Sequence, residues 1–207
     1  MKITRIKKQK NHRRYNIFVD GEYVFSISSK GLNKFNLREL TDQELEQEDF
    51  SELVKNIALF ECENALINFL QYRMRSEKEI VSKLKTKGCK PEIISELINK
   101  YKNLGYVNDT VFVEGYLLDL ISHHPQSKYS IINKLRIKGI NQEHINEVIE
   151  KHITYEKEKE MAERNLNSQM FRFKKLSPKE RKNKALAFLQ RKGFSSKIAF
   201  EVIKDFV

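Results

Sequence analysis

Turn-forming residues are scarce in this sequence. In 207 residues there are 7 glycines, 3 prolines and no tryptophan. An all-β sandwich needs a turn about every 8–12 residues, so this composition excludes one and favours long helices on short connections. Cys62 and Cys89 are the only cysteines. They make no metal-ligand spacing, and two lone thiols are not the disulfide framework of a small secreted protein. No apolar run approaches the roughly 18 residues of a membrane span. The basic N-terminus is followed by no apolar stretch, so it is not a secretory signal. These absences imply a soluble protein of a reducing, cytoplasmic compartment that does not engage a membrane.

Catalytic patterns are missing as well. The sequence has no G-x-S-x-G, no phosphate-binding G-x-x-x-x-G-K-[ST] and no G-x-G-x-x-G. His123 and His124 form the only adjacent histidine pair, and they stand just before Pro125 at the end of a helical stretch. No acid or cysteine lies three or four residues downstream of either, so the pair reads as a solvated helix terminus and not a metal site. The acids Glu44, Glu46, Glu48 and Asp49 lack basic or histidine company and read as a solvated helix start. The chain is expected to be no enzyme and to carry neither metal nor cofactor.

Positive charge, by contrast, is abundant. Lys and Arg total 39 against 28 acids, for a net charge of +11. Such an excess suits a polyanionic partner. Seven cations, from Lys2 to Arg14, fall in the first fourteen residues with no acid among them. The runs on either side of Asp20-Gly21 are β-branched and aromatic, and the dipeptide suits a two-residue turn with φ > 0. A lone hairpin is marginal in water, so a third strand is expected over Lys2–Lys8. From Thr41 onward the pattern is helical, with Thr41-x-x-Glu44 placed as a capping box. Leu53, Ile57, Phe60, Leu66 and Phe69 follow at helical spacing.

Repeats organise the rest. The segments from Glu79, Ser130 and Lys184 superimpose, with Leu84, Leu135 and Leu189 four residues before Gly88, Gly139 and Gly193. A lysine precedes each glycine: Lys87, Lys138 and Lys192. Gly at the end of an amphipathic helix suits the left-handed position that closes it. New helices are expected after Lys90-Pro91, Asn141 and Ser195, where Pro, Asn and Ser are good helix starters. Ser76-x-x-Glu79 and Ser177-x-x-Glu180 are capping boxes for the helix before each glycine, and Ser127 is a plainer cap. A further helix precedes each unit, over Glu61–Arg75, Asp109–His123 and Tyr155–Met170. The predicted fold is mainly α: three tandem three-helix repeats in an elongated curved array, with a small N-terminal β element. The boundaries are 1–40 for the β segment, 41–60 for a connecting helix, and 61–106, 107–153 and 154–207 for the repeats.

In such an array, equivalent cations line up along one side and could track a phosphate backbone. Tyr72, Phe171 and Phe173 are interspersed among them; base stacking is open to Tyr72, while the two Phe are expected in the core. No helix has the make-up of a groove-reading recognition helix.

Arg73-x-Arg75-Ser76-x-x-Glu79-Ile80, with Lys83-Leu84 and Lys87-Gly88, resembles the hallmark segment of the RecX recombination regulators. Gly105-Tyr106-Val107-Asn108-Asp109-x-x-Phe112-Val113 resembles that family's second signature. Leu135-x-x-Lys138-Gly139-Ile140 and Arg191-Lys192-Gly193-Phe194 fit its later repeats. The resemblance runs from about Ala65 to the C-terminus. One departure is His124-Pro125-Gln126-Ser127, where the family usually has a basic residue and Gly. The resemblance implies a non-enzymatic modulator of RecA in DNA repair and recombination, one that binds the RecA filament on single-stranded DNA and inhibits its recombinase, ATPase and co-protease activities. Single- and double-stranded DNA and RecA are the implied partners, and the chain reads as a monomer. The filament-facing cations would be Arg73, Arg75, Lys83, Lys85, Lys87, Lys134, Arg136, Lys138, Arg172, Lys174, Lys175, Arg191 and Lys192. The alternative is a helical-repeat protein that binds nucleic acid without sequence preference and without RecA.

Overall fold

A computed structural model describes residues 1–10, 13–173 and 176–204. Lys174 and Lys175 therefore lie outside the described residues. The chain divides into two compact units, Met1–Met74 with Ile80–Tyr106, and Arg75–Glu79 with the chain from Val107 onward.

The first unit opens with three antiparallel strands in the order β1 (Ile3–Lys8), β2 (Arg14–Val19), β3 (Glu22–Ser28). Asp20 and Gly21 both take positive φ, 49° and 88°, as the tight turn between β2 and β3 requires. Alternation along the strands sends Ile3, Ile17, Val19 and Ile27 inward, where Leu32, Leu37, Phe50 and Ile57 complete a core.

A short helix, α1 (Ser29–Lys34), follows directly and is capped by Ser28. The sequence gives no periodic signal for it. The expected capping box at Thr41 does not form. The Asp42 amide donates to the Ile3 carbonyl at 2.9 Å, and Thr41 and Glu44 bridge to Ile3 and Lys2. The backbone there is held against the sheet, so the helix starts later. It is a single element, α2 (Gln47–Leu70), with Glu48 and Asp49 in its first turn against the positive end of the dipole.

Next come α3 (Glu77–Thr86) and α4 (Pro91–Asn103), the latter with Pro in its opening turn. Gly88 takes φ 78° between them. That turn brings Cys89 against α2, where it is disulfide-bonded to Cys62 with the Cα atoms 6.0 Å apart. The sequence had suggested two lone thiols. Cysteines 27 residues apart show no framework until the helix turn folds one back on the other.

The second unit contains α5 (Asp109–His123), α6 (Lys128–Ile137), α7 (Gln142–His152), α8 (Tyr155–Asn167), the single turn α9 (Met170–Phe173), α10 (Pro178–Arg191) and α11 (Ser196–Lys204). Side chains of Asn108, Ser127, Asn141, Thr154 and Ser177 cap α5, α6, α7, α8 and α10. Gly139 and Gly193 take φ 86° and 84°, as expected of helix-closing positions. One apolar core runs from Phe112 through Leu135, Ile149, Met161 and Leu189 to Ile203.

The repeats share a joint within this unit. Ser76 and Ser127 are the only fully buried polar side chains among the described residues. The Ser76 hydroxyl donates to the Lys138 carbonyl at 2.8 Å, and the Ser127 hydroxyl donates to the Lys192 carbonyl at 2.8 Å. Each hydroxyl also accepts from the start of its own helix, from the Glu79 and Ser130 amides. One buried group thus satisfies both a helix start and a helix end. Repeat 3 departs from this pattern. Its α10 has 14 residues where α3 and α6 have 10 each, so Ser177 stands one turn further out.

Candidate functional site

Five of the sequence-predicted cations, Lys83, Lys87, Lys134, Arg191 and Lys192, line two basic clefts, one in each unit. The cleft of the first unit, about 490 Å³, is lined by Arg14, Lys30, Lys83 and Lys87 with Asn64, Asn68, Tyr72 and the disulfide edge. Helix α3 supplies Lys83, and the turn after it supplies Lys87. Spaced four residues apart, they share one helical face. Strand β2 supplies Arg14, whose guanidinium is fixed by Glu61 at 2.9 Å and by the Ser26 carbonyl at 2.9 Å. The Lys83 ammonium lies 5.6 Å from the Phe69 ring centre, a cation–π placement that aims the side chain along the cleft wall. Tyr72 is 84% exposed and presents a free ring face.

The cleft of the second unit, about 550 Å³, gathers Lys134, Arg164, Arg191 and Lys192 with His123, His124, Gln126 and Asn165. Lys134 comes from α6, while Arg191 and Lys192 close α10. The repeat geometry therefore brings together cations some sixty residues apart in the chain. Arg164 of α8 donates to the Ile121 and Ser122 carbonyls at 3.0 and 2.7 Å, which closes α5 and fixes the guanidinium at the cleft.

The other predicted cations are placed differently. Lys138 is drawn inward. Its ammonium pairs with Glu79 at 2.8 Å, lies 4.8 Å from the Tyr116 ring centre, and both members of the pair are about four-fifths buried. Lys85 is exposed on α3 outside the cleft. Arg136 is tied to Gln142 at 2.7 Å, and Arg172 to Gln169 at 3.1 Å. Arg73 donates to the Met74 carbonyl at 2.8 Å and is exposed, while Arg75 is half-buried. Of the two phenylalanines expected in the core, Phe173 is buried but Phe171 is 85% exposed. In a single helical turn, residues two apart face opposite sides.

The sequence reading missed Lys30 and Arg164 as cleft residues. Both lie outside the repeated Lys–Gly segment, and only the fold carries them to its edge. His123 and His124, read as a helix terminus, do end α5, and they also line the second cleft.

The electrostatics elsewhere are structural and also repeat. Glu63 pairs with Lys100 at 2.6 Å, and fifty-one residues on, Glu114 pairs with Lys151 at 2.6 Å. The hydrogen bond from Lys100 holds the Glu63 carboxyl below its ordinary 4.5. Burial, with Glu63 beside it, pushes the Tyr101 phenol up to about 12. Among the described residues, no group of three or more His, Cys, Asp or Glu is placed to hold a metal ion, and no helix is long and apolar enough to cross a membrane. Both clefts offer ammonium, guanidinium and amide donors, which is the chemistry of anion recognition.

Three family profiles match the chain. The profile described as "Regulatory protein RecX N-terminal domain" covers residues 1–44, "RecX, first three-helix domain" covers 62–100, and "RecX, third three-helix domain" covers 156–203. The regulatory protein RecX of Bacillus subtilis (strain 168) is 35% identical over 202 residues, 97% of this chain and 74% of that protein. That of Listeria monocytogenes serovar 1/2a (strain EGD-e) is 35% identical over 203 residues, covering 96% and 73%. A crystal structure of regulatory protein RecX aligns with TM-score 0.66 at 28% identity over 99% of this chain and 98% of its own. The structure of RecX from Lactobacillus salivarius aligns with TM-score 0.62 at 26% identity, covering 72% and 96%. Strands, repeats and matches agree along the chain, and it belongs to the RecX family of regulatory proteins.

Proposed function

We propose that this protein acts without catalysis, binding the RecA filament on single-stranded DNA and restraining its strand exchange, ATP hydrolysis and co-protease activity. Family membership supports the regulatory role. The observation that supports a nucleoprotein target is the pair of basic clefts, built from helix-end cations at equivalent places in the repeats. Two separate cationic sites on one chain gain from a repeating polyanion through effective concentration, because the second site binds within reach of the first. Lys83, Lys87, Lys134, Arg191 and Lys192 are the proposed phosphate contacts. Arg73, Arg75, Lys85, Arg136 and Arg172 are proposed as outer contacts with DNA or RecA. Lys138, already paired, takes no part. The setting of this activity is the cytoplasm.

The deciding experiment measures RecA ATPase on single-stranded DNA with the protein added well below one copy per RecA. Inhibition at that ratio is expected. Loss of ATPase only when the protein is stoichiometric with DNA would overturn the RecA reading and leave plain nucleic-acid binding.

A further inference from the structure

The joint between repeats has two halves, and each half also occurs once more in an uncovered form. The donor half is the segment Ser-x-Lys-Glu at the start of a helix. In Ser76-Glu77-Lys78-Glu79, the serine hydroxyl reaches the Lys138 carbonyl and the glutamate reaches the Lys138 ammonium. The lysine side chain covers Gly139 so closely that a β-carbon there would lie 2.7 Å from Lys78. The acceptor half is the Lys-Gly turn with its glycine at positive φ.

Ser177-Pro178-Lys179-Glu180 has the same pattern, with all four residues exposed. With no outside acceptor among the described residues, its serine hydroxyl turns back onto its own Glu180 at 2.7 Å. Lys87-Gly88 is the matching turn, with φ 78° at the glycine against 86° at Gly139. Covering neighbours crowd a β-carbon placed on Gly139 or Gly193, whereas one placed on Gly88 would meet nothing within 4 Å. Lys87 itself is exposed and in no ion pair among the described residues.

From this match we infer that two copies of the chain dock head to tail, Ser177 and Glu180 of one on Lys87-Gly88 of the next, reproducing the internal joint. The Ser177 hydroxyl donates to the Lys87 carbonyl, the Glu180 carboxylate pairs with the Lys87 ammonium in place of phosphate, leaving Lys83 and Lys30 to the first cleft, and the Lys179 stem covers Gly88. Such a contact joins different patches on the two copies, which makes it heterologous. The net charge of +11 opposes it. The association is therefore weak in dilute solution, where the chain stays a monomer, and grows where copies are crowded on a common support.

The test needs neither DNA nor RecA, so its outcome is independent of the proposed function. Sedimentation equilibrium at about 0.15 M salt, where charges are screened beyond roughly 8 Å, would follow the full chain from about 10 μM to 1 mM. Wild type should show reversible association. Lys87→Glu alone and Glu180→Lys alone should each weaken it at least about fivefold. An equimolar mixture of the two variants restores opposite charges at every contact and should recover wild-type association. Zero-length coupling of a mixture of 15N-labelled and unlabelled wild type should yield a mixed-label peptide joining Lys87 to Glu180. A wild type that is monomeric throughout, an association indifferent to both substitutions, or a mixture that does not recover would each overturn the inference.

Discussion

The two internal joints start from the same bond and finish differently. In both, a buried serine hydroxyl donates to a lysine carbonyl at 2.8 Å. Three residues after the serine, the first joint has Glu79, which captures the Lys138 ammonium. The second has Ser130, whose hydroxyl adds a bond of 3.2 Å to the Lys192 carbonyl and leaves the Lys192 side chain exposed at a cleft. The backbone half of the joint is common to both, and the side-chain half determines whether the lysine is drawn into the fold or left exposed at a cleft. Two lysines at one repeat position therefore do different work because of a residue about sixty positions upstream.

The largest effects should come from the two covered turns. A β-carbon on Gly193 would lie 2.7 Å from Ser127 Oγ, a buried atom already committed to two hydrogen bonds. Gly193→Ala should therefore cost about 3 kcal/mol in urea unfolding, from the left-handed backbone and a displaced joint. Gly139→Ala should cost about as much, since the Lys78 Cβ that the new methyl would meet at 2.7 Å is fixed to the start of α3, and Gly88→Ala should cost less than either.

Next in size are the serines. Ser76→Ala removes the one hydroxyl on the Lys138 carbonyl and a helix cap, and about 2 kcal/mol is expected. Ser127→Ala should cost somewhat less, because Ser130 still reaches the Lys192 carbonyl. Equal losses would mean that the second hydroxyl contributes nothing.

Glu79→Ser converts the first joint into the second. It should cost about 1 kcal/mol, since the pair it breaks is mostly but not fully buried. The salt dependence of single-stranded DNA binding gives the functional counterpart. Lys192→Glu should flatten the slope by roughly 0.7 for each lost phosphate contact, while Lys138→Glu in the wild-type background should leave it unchanged and lower stability. A flattened slope from Lys138→Glu would place that lysine on the ligand after all.

The smallest effect concerns the repeated surface ties. Lys100 lowers the pKa of Glu63 from its ordinary 4.5, and Lys151 does the same for Glu114. A carboxylate whose folded value is depressed contributes stability that is complete above the unfolded value and is lost as pH falls through the folded one. Stability should therefore decline below about pH 4.5, and Lys100→Met with Lys151→Met should make that decline shallower in acid titration.

Much of this arrangement is legible in sequence because it is local. The Asp20-Gly21 turn, the three left-handed glycines and the caps at Ser127, Asn141 and Ser177 depend on neighbours within a few residues. The misreadings have a common cause in long-range contacts. Thr41 looks like a cap, but the backbone beside it is engaged by β1 some forty residues earlier. Helix α1 has no periodicity to announce it and depends on close packing: a β-carbon on Gly31 would lie 2.7 Å from Ile27 Cγ1. The candidate site follows the same rule. Repetition marks Lys83, Lys134 and Lys192 by itself, but the separation of Lys138 from them, and the arrival of Lys30 and Arg164, require the fold.

The bond between Cys62 and Cys89 closes a loop of 27 residues wholly inside the first unit, and the second unit contains no cysteine. Restricting the unfolded chain over such a loop is worth about 3.5 kcal/mol in the chain-entropy view. The thiol chemistry of the surroundings thus acts on the sheet and the first basic cleft, whose wall includes both sulfur-bearing residues, and passes over the rest. A reductant would lower the melting transition of one half of this molecule and leave the other where it was, dividing a single chain into an oxidation-sensitive part and an indifferent one.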